Sequence, residues 1–151
     1  MLTNMTEAIE DDLPELFLRT ARRIRRAQQA DLAPLGLTPA QARALRILGH
    51  SAEPLRMSAL AERLGIVPRS ATTVVDALEA AGWVDRATDP ANRRATLVAL
   101  TDSGRAVLTR MSDARRRAAR DLFARLSPGH RASLRAILAE LDAADGDMPR
   151  G

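Results

Sequence analysis

The run from Asp85 to Thr101 reads DRATDPANRRATLVALT. It alternates, turns at a proline, presents two adjacent arginines, alternates again and meets a helix start. The pattern predicts a hairpin whose strands, WVDRAT and ATLVAL, flank residues 89–94. Arg93 and Arg94 repel each other, so an isolated hairpin gains nothing from them. The arrangement makes sense if something anionic sits opposite the tip.

Working upstream, the chain supplies a short helix, a glycine turn and a second helix. Residues 53–57 (EPLRM) are short and extended, and Ser58 is expected to cap a brief helix with Leu60, Ala61 and Leu64 inward. Gly65 ends it, and a second helix starts near Pro68-Arg69-Ser70. This is a helix-turn-helix pattern. On the second helix Ala71, Val74, Val75, Leu78 and Ala81 share one face, which is assigned to the core. The opposite arc holds Arg69, Ser70, Thr72, Thr73 and Asp76. Exposed helices usually carry long charged pairs there, whereas short hydroxyls allow close approach to base edges and phosphates. Gly82 closes the helix with a left-handed cap.

A helix-turn-helix followed at once by a hairpin reads as a winged helix. Its second helix can enter the major groove while the wing reaches the flanking backbone or minor groove. Arg93 and Arg94 are therefore expected to meet DNA, with Arg94 the candidate for hairpin support if only one does so. Arg86, at the base of the hairpin, is expected to brace it by pairing with Asp89.

Further out, helices flank this unit on both sides. Asp12-Leu13-Pro14-Glu15 has the form of a helix start, with residues 1–10 frayed. Leu13, Leu16, Phe17, Thr20, Ile24 and Ala27 then share a face, and Pro34 and Gly36 close the helix. Thr38-Pro39-Ala40-Gln41 is a capping box opening a helix that Gly49 is expected to stop. Thr101-Asp102-Ser103-Gly104 starts a long helix with Val107, Leu108, Met111, Ala114, Ala118 and Leu122 inward. Ser127-Pro128 begins a last one with Leu134, Ile137, Leu138 and Leu141 on one stripe, and residues 145–151 read as a loose tail. The terminal stripes are too long for the central unit to cover. Leu13, Leu16, Phe17, Leu134, Ile137, Leu138 and Leu141 are thus expected to be buried between two copies of the chain.

Composition narrows the classes. Only 2% of the 151 residues are aromatic, so the core must be aliphatic, and the abundant Ala and Leu favour helix. The expected fold is mainly α with a small β-hairpin wing (α+β), one domain over 1–151, in which 12–33 and 101–144 dimerise and 38–100 form the winged helix. All 23 basic residues are arginine and the net charge is +4, which permits nucleic-acid binding without proving it. Lacking cysteine, the chain has no disulfide, thiolate metal site or thiol nucleophile. No apolar run approaches the roughly 18 residues of a membrane span, and the acidic N-terminus does not fit a signal peptide. A cytoplasmic location is expected. His50 and His130 lack metal-ligand company, Ser103 lacks the glycine spacing of a nucleophile elbow, and Asp11, Asp12 and Glu15 suit a helix N-terminus. No metal, cofactor or enzymatic activity is expected.

TPAQARALRIL (38–48), MSALAERLGIVPRSATTVVDALEAAGWVDR (57–86) and DPANRRATLVALTDSG (89–104) resemble the MarR-type (multiple antibiotic resistance regulator) transcription factors. The resemblance covers roughly residues 12–144. It implies a homodimeric regulator on a pseudo-palindromic operator, acting as a repressor, with the terminal helices at the dimer interface. It also implies a small ligand, often aromatic or phenolic, that releases DNA. Two departures stand out. Asn92 replaces the aspartate usual two residues before the second wing arginine, so a neutral hydrogen bond or Asp89 must brace the tip. Thr73 follows Thr72 where arginine is common, which shifts weight to Arg69 and the wing. The Arg115, Arg116, Arg117 and Arg120 cluster reads as a solvated face, dimer-edge ion pairs or a second DNA contact. The alternative function is a winged-helix module whose arginines pair with an acidic protein.

Overall fold

The computed structural model describes residues 2–145, with side chains from 12 to 144. Helix α1 runs Leu2–Leu32 and is followed by a 3-10 turn, Ala33–Leu35. Next come α2 (Pro39–His50), β1 (Leu55–Arg56), α3 (Met57–Leu64) and α4 (Pro68–Ala80). Strands β2 (Val84–Asp89) and β3 (Asn92–Leu100) precede α5 (Asp102–Phe123) and α6 (Pro128–Asp145). The fold is mainly helical with a small antiparallel sheet. No helix among the described residues is long and apolar enough to cross a membrane.

The chain forms two compact units, residues 28–114 and the two ends, up to 27 and from 115. Residues 28–114 hold an aliphatic core of Leu45, Leu48, Leu60, Leu64, Val75, Leu78, Val84, Val98, Val107 and Met111. Its sheet has the order β1-β3-β2, so the expected two-stranded hairpin gains a third strand. Leu55 pairs with Val98 and Arg56 with Leu97, which turns the extended EPLRM segment into a sheet edge.

Glycine and capping chemistry set the local joints. Thr38 Oγ1 accepts from Gln41 N and Gln41 Oε1 accepts from Thr38 N, a complete capping box. Gly65 caps α3 at φ +68°, where a Cβ would be strained, and so permits the tight turn into α4. Thr101 Oγ1 donates to Gly82 O (2.6 Å) and accepts from Gly104 N (3.0 Å). That hydroxyl caps α5 while tying it to the α4–β2 turn.

The ends form the other unit. On α1, Leu13, Leu16, Phe17 and Leu18 are exposed; on α6, Ile137, Leu138 and Leu141 are exposed and Leu134 is half-buried. Phe123, Arg131, Leu134, Arg135, Leu138, Ala139 and Asp142 line an open groove of about 440 Å³.

Three local expectations change. Helix α1 begins at Leu2, with Pro14 inside it, rather than at Asp12. Proline forgoes one backbone bond and clashes with the preceding turn, yet the helix formers on both sides carry the helix through. Gly49 lies within α2 instead of stopping it, and a Cβ there would run into Leu108 Cδ1. Glycine at this position admits a neighbour. Ser58 sits inside α3, whose N-cap is Arg56 without a side-chain cap bond, because β1 runs straight into the helix. The expected tail falls largely outside the described residues.

Candidate nucleic-acid interface

Helix α4 buries Ala71, Val75 and Leu78, half-buries Val74, and leaves Ala81 exposed beyond its end. Its outward arc exposes Arg69, Ser70, Thr72, Thr73 and Asp76. Thr72 Oγ1 donates to Pro68 O (3.1 Å) and Thr73 Oγ1 to Arg69 O (3.2 Å). Each threonine thus spends its proton on the helix one turn back and turns acceptor lone pairs outward. The Arg69 guanidinium and the Ser70 hydroxyl have no partner among the described residues.

The wing's turn is shorter than its sequence suggests. Residues 84–88 of β2 pair in register with residues 100–96 of β3, and then Asp89 faces Asn92 across Pro90 and Ala91. The jump from Thr96 to Asn92 leaves Arg93, Arg94 and Ala95 as extra residues on β3. The arginines therefore stand on a bulged strand beside the turn, not at its tip. Bulges re-aim side chains in this way. Both arginines are exposed and have no ion-pair partner among the described residues.

Two side chains shape that turn. Asp89 is buried; its Oδ1 accepts from Ala91 N (2.9 Å) and its Oδ2 from Arg56 Nε (2.7 Å). The Ala91 amide, then Arg56, holds the Asp89 carboxyl below the usual carboxylate range. Asn92 Oδ1 accepts from Arg94 N (3.1 Å), a second Asx turn directly after the first. A neutral hydrogen bond at Asn92 and a charged one at Asp89 both brace the turn.

The expected Arg86–Asp89 pair does not form. Arg86 lies on β2 facing α4, where Nη1 meets Asp76 Oδ1 at 2.7 Å and Nε donates to Glu79 Oε2 at 3.0 Å. Asp76 is thereby engaged by the wing, although it shares the outward arc with the threonines. Arg56 and Glu79 were not legible as site residues. The one signal for Arg56 was its place in an extended segment that proves to be a strand. His50 Nδ1 faces Arg46 O within its own helix, and the His130 amide donates to Ser127 Oγ. Among the described residues no acidic or histidine cluster could hold a metal.

Comparison with known proteins places this architecture. The MarR family model matches residues 35–95. An HTH-type transcriptional repressor of Mycobacterium tuberculosis is 32% identical over 135 residues, spanning 88% of this chain and 96% of that protein. The crystal structure of a MarR family protein from Mycobacterium tuberculosis superposes with a TM-score of 0.64 at 30% identity, over 86% of this chain and 93% of that one. A transcriptional regulator from Thermotoga maritima superposes with a TM-score of 0.75 at 26% identity, over 91% and 94% of the two chains. With a winged helix built as above and a relative alike over nearly its whole length, the chain belongs to the MarR family of winged helix-turn-helix transcription factors.

Proposed function

We propose that the chain is a homodimer that binds a pseudo-palindromic operator as a repressor, and that a small, aromatic ligand releases it. One observation carries the DNA-binding part. The 28–114 unit exposes a short polar helix face and, on a bulged strand of the same unit, two arginines with no counter-charge among the described residues. In this reading Arg69 and Ser70 meet the backbone and base edges at the start of α4. Thr72 and Thr73, with their protons spent on the helix, accept from base amino groups in the major groove. Arg93 and Arg94 meet phosphates, which relieves their mutual repulsion.

Binding measured from low to high salt, for wild type and Arg93→Ala, tests it. The substitution should weaken binding to all sequences and flatten the log–log salt slope by about 0.9, one phosphate contact's worth. Unchanged affinity and slope would remove the wing from DNA and favour an acidic protein partner. Release by a ligand is read in the same assay, as loss of the complex on titrating a panel of phenolic compounds.

A further inference from the structure

We infer that Arg86 is a positioning residue that locks the wing to the recognition helix, so that Arg93 and Arg94 are presented in fixed register with the reading face of α4. The inference rests on the proposed DNA binding. A three-charge knot spans two elements. The Arg86 guanidinium, from β2, places Nη1 on Asp76 and both Nε and Nη2 on Glu79 Oε2. Asp76 and Glu79 lie three residues apart on α4, hence on adjacent rungs of one helix face. A planar fork bridging two carboxylates fixes orientation as well as distance, which a single ammonium would not.

Side-chain exposures of 29% for Arg86, 54% for Asp76 and 39% for Glu79 place the knot at the rim of the unit. Such exposed pairs contribute little to stability. Their geometry does more here. The knot joins Asp76 and Glu79, which follow the threonines on α4, to the strand that leads into the wing turn. A second pair, Arg56 to Asp89, ties the turn to β1 on the other side of the sheet. The wing is thus held at its base by α4 and at its turn by the strand leading into α3. Groove reading needs the helix and the wing to touch one duplex together, so freedom between them costs sequence preference before it costs charge attraction.

Arg86 also neutralises two carboxylates near an expected phosphate surface, and the test separates that role from positioning. The duplex is the one enriched by in-vitro selection on the wild-type protein, measured against a scrambled duplex of equal composition. Arg86→Met, which keeps the aliphatic stem, should lower the specific-to-scrambled affinity ratio about tenfold, the order of one lost base-reading contact. The triple variant Arg86→Met, Asp76→Asn, Glu79→Gln removes all three charges and should stay about as impaired in that ratio. Recovery of the wild-type ratio in the triple variant would reduce Arg86 to a neutraliser and overturn the inference. An unchanged ratio in Arg86→Met would overturn it as well. Amide exchange without DNA reads the lock directly, and β2–β3 amides should exchange about two- to fivefold faster in Arg86→Met, the scale of so exposed a knot. If selection enriches no sequence, the DNA reading falls, and the exchange arm decides the lock alone: faster exchange upholds it and unchanged exchange overturns it.

Discussion

On Asp89 a backbone amide and a guanidinium converge, and the wing turn depends on both. The Ala91 amide and Arg56 favour the ionised carboxylate, so its pKa in the folded chain lies below the unfolded value of about 3.9. Between those two values the unfolded state binds more protons, so stability rises with pH there. The contribution is complete above the unfolded value and is lost as pH falls through the folded one. Asp89→Asn keeps the shape but not the charge. It should therefore melt lower than wild type near neutrality, and the gap should close on acidification below about pH 4. Thermal unfolding at pH 7 and pH 3 checks this, and a gap that stays constant would assign the turn's stability to shape alone. The sequence shows that Asp89 and Arg86 are hairpin residues with complementary charge, but they lie on one strand with their bonds directed to different neighbours. Only the sheet order tells that Asp89 meets Arg56 and that Arg86 meets α4.

Between elements, a close joint links the first turn of α5 to Trp83, just before β2. Gly104 is buried in the first turn of α5, and a Cβ on it would run into the carbonyl of Trp83. Thr101 N donates to that same carbonyl (3.1 Å), and Thr101 Oγ1 bonds both Gly82 O and Gly104 N. The obstacle is backbone and cannot rotate away as a side chain would. Gly104→Ala should therefore cost about 1–3 kcal/mol, toward the upper end of that range for overpacking. Ser103→Ala, on the exposed side of the same turn, should stay within about 0.5 kcal/mol of wild type. Urea unfolding of both variants checks the pair, and equal midpoints would deny the close approach. The TDSG motif marks a helix start because its capping chemistry is local. Glycine's second task at this joint depends on a carbonyl from another element. Gly49 carries the same lesson: within α2 it reads as a stop, and its packing against Leu108 of α5 shows why the helix runs on.

At the scale of the whole molecule, family membership makes the chain a DNA-binding transcriptional regulator rather than an enzyme. Its unpartnered apolar surface bears on the proposed dimer: Leu13 and Phe17 on α1 are 64% and 60% exposed, and Ile137 and Leu141 on α6 are 55% and 64% exposed. Burying one such side chain is worth about 1.5–3 kcal/mol. Ile137→Glu with Leu141→Glu should therefore raise the dimer dissociation constant about a hundredfold or more. Sedimentation across micromolar concentrations reads this, and a wild-type monomer, or a variant of unchanged mass, would sink the dimer reading. Local patterns along the chain specify the helix-turn-helix, the hairpin and their order. Period-2 alternation, helical stripes and left-handed glycines at 65 and 82 act over a few residues and need no distant partner. The sequence also marks the exposed arc of α4 and the paired arginines, because polarity out of keeping with an ordinary solvated face shows in composition. The third strand, the bulge that moves Arg93 and Arg94 off the turn, and the partners of Arg86 and Asp89 arise only in the folded chain. Those depend on register and on contacts between segments far apart in the chain, and a short strand such as Leu55–Arg56 carries too little periodicity to announce its neighbour.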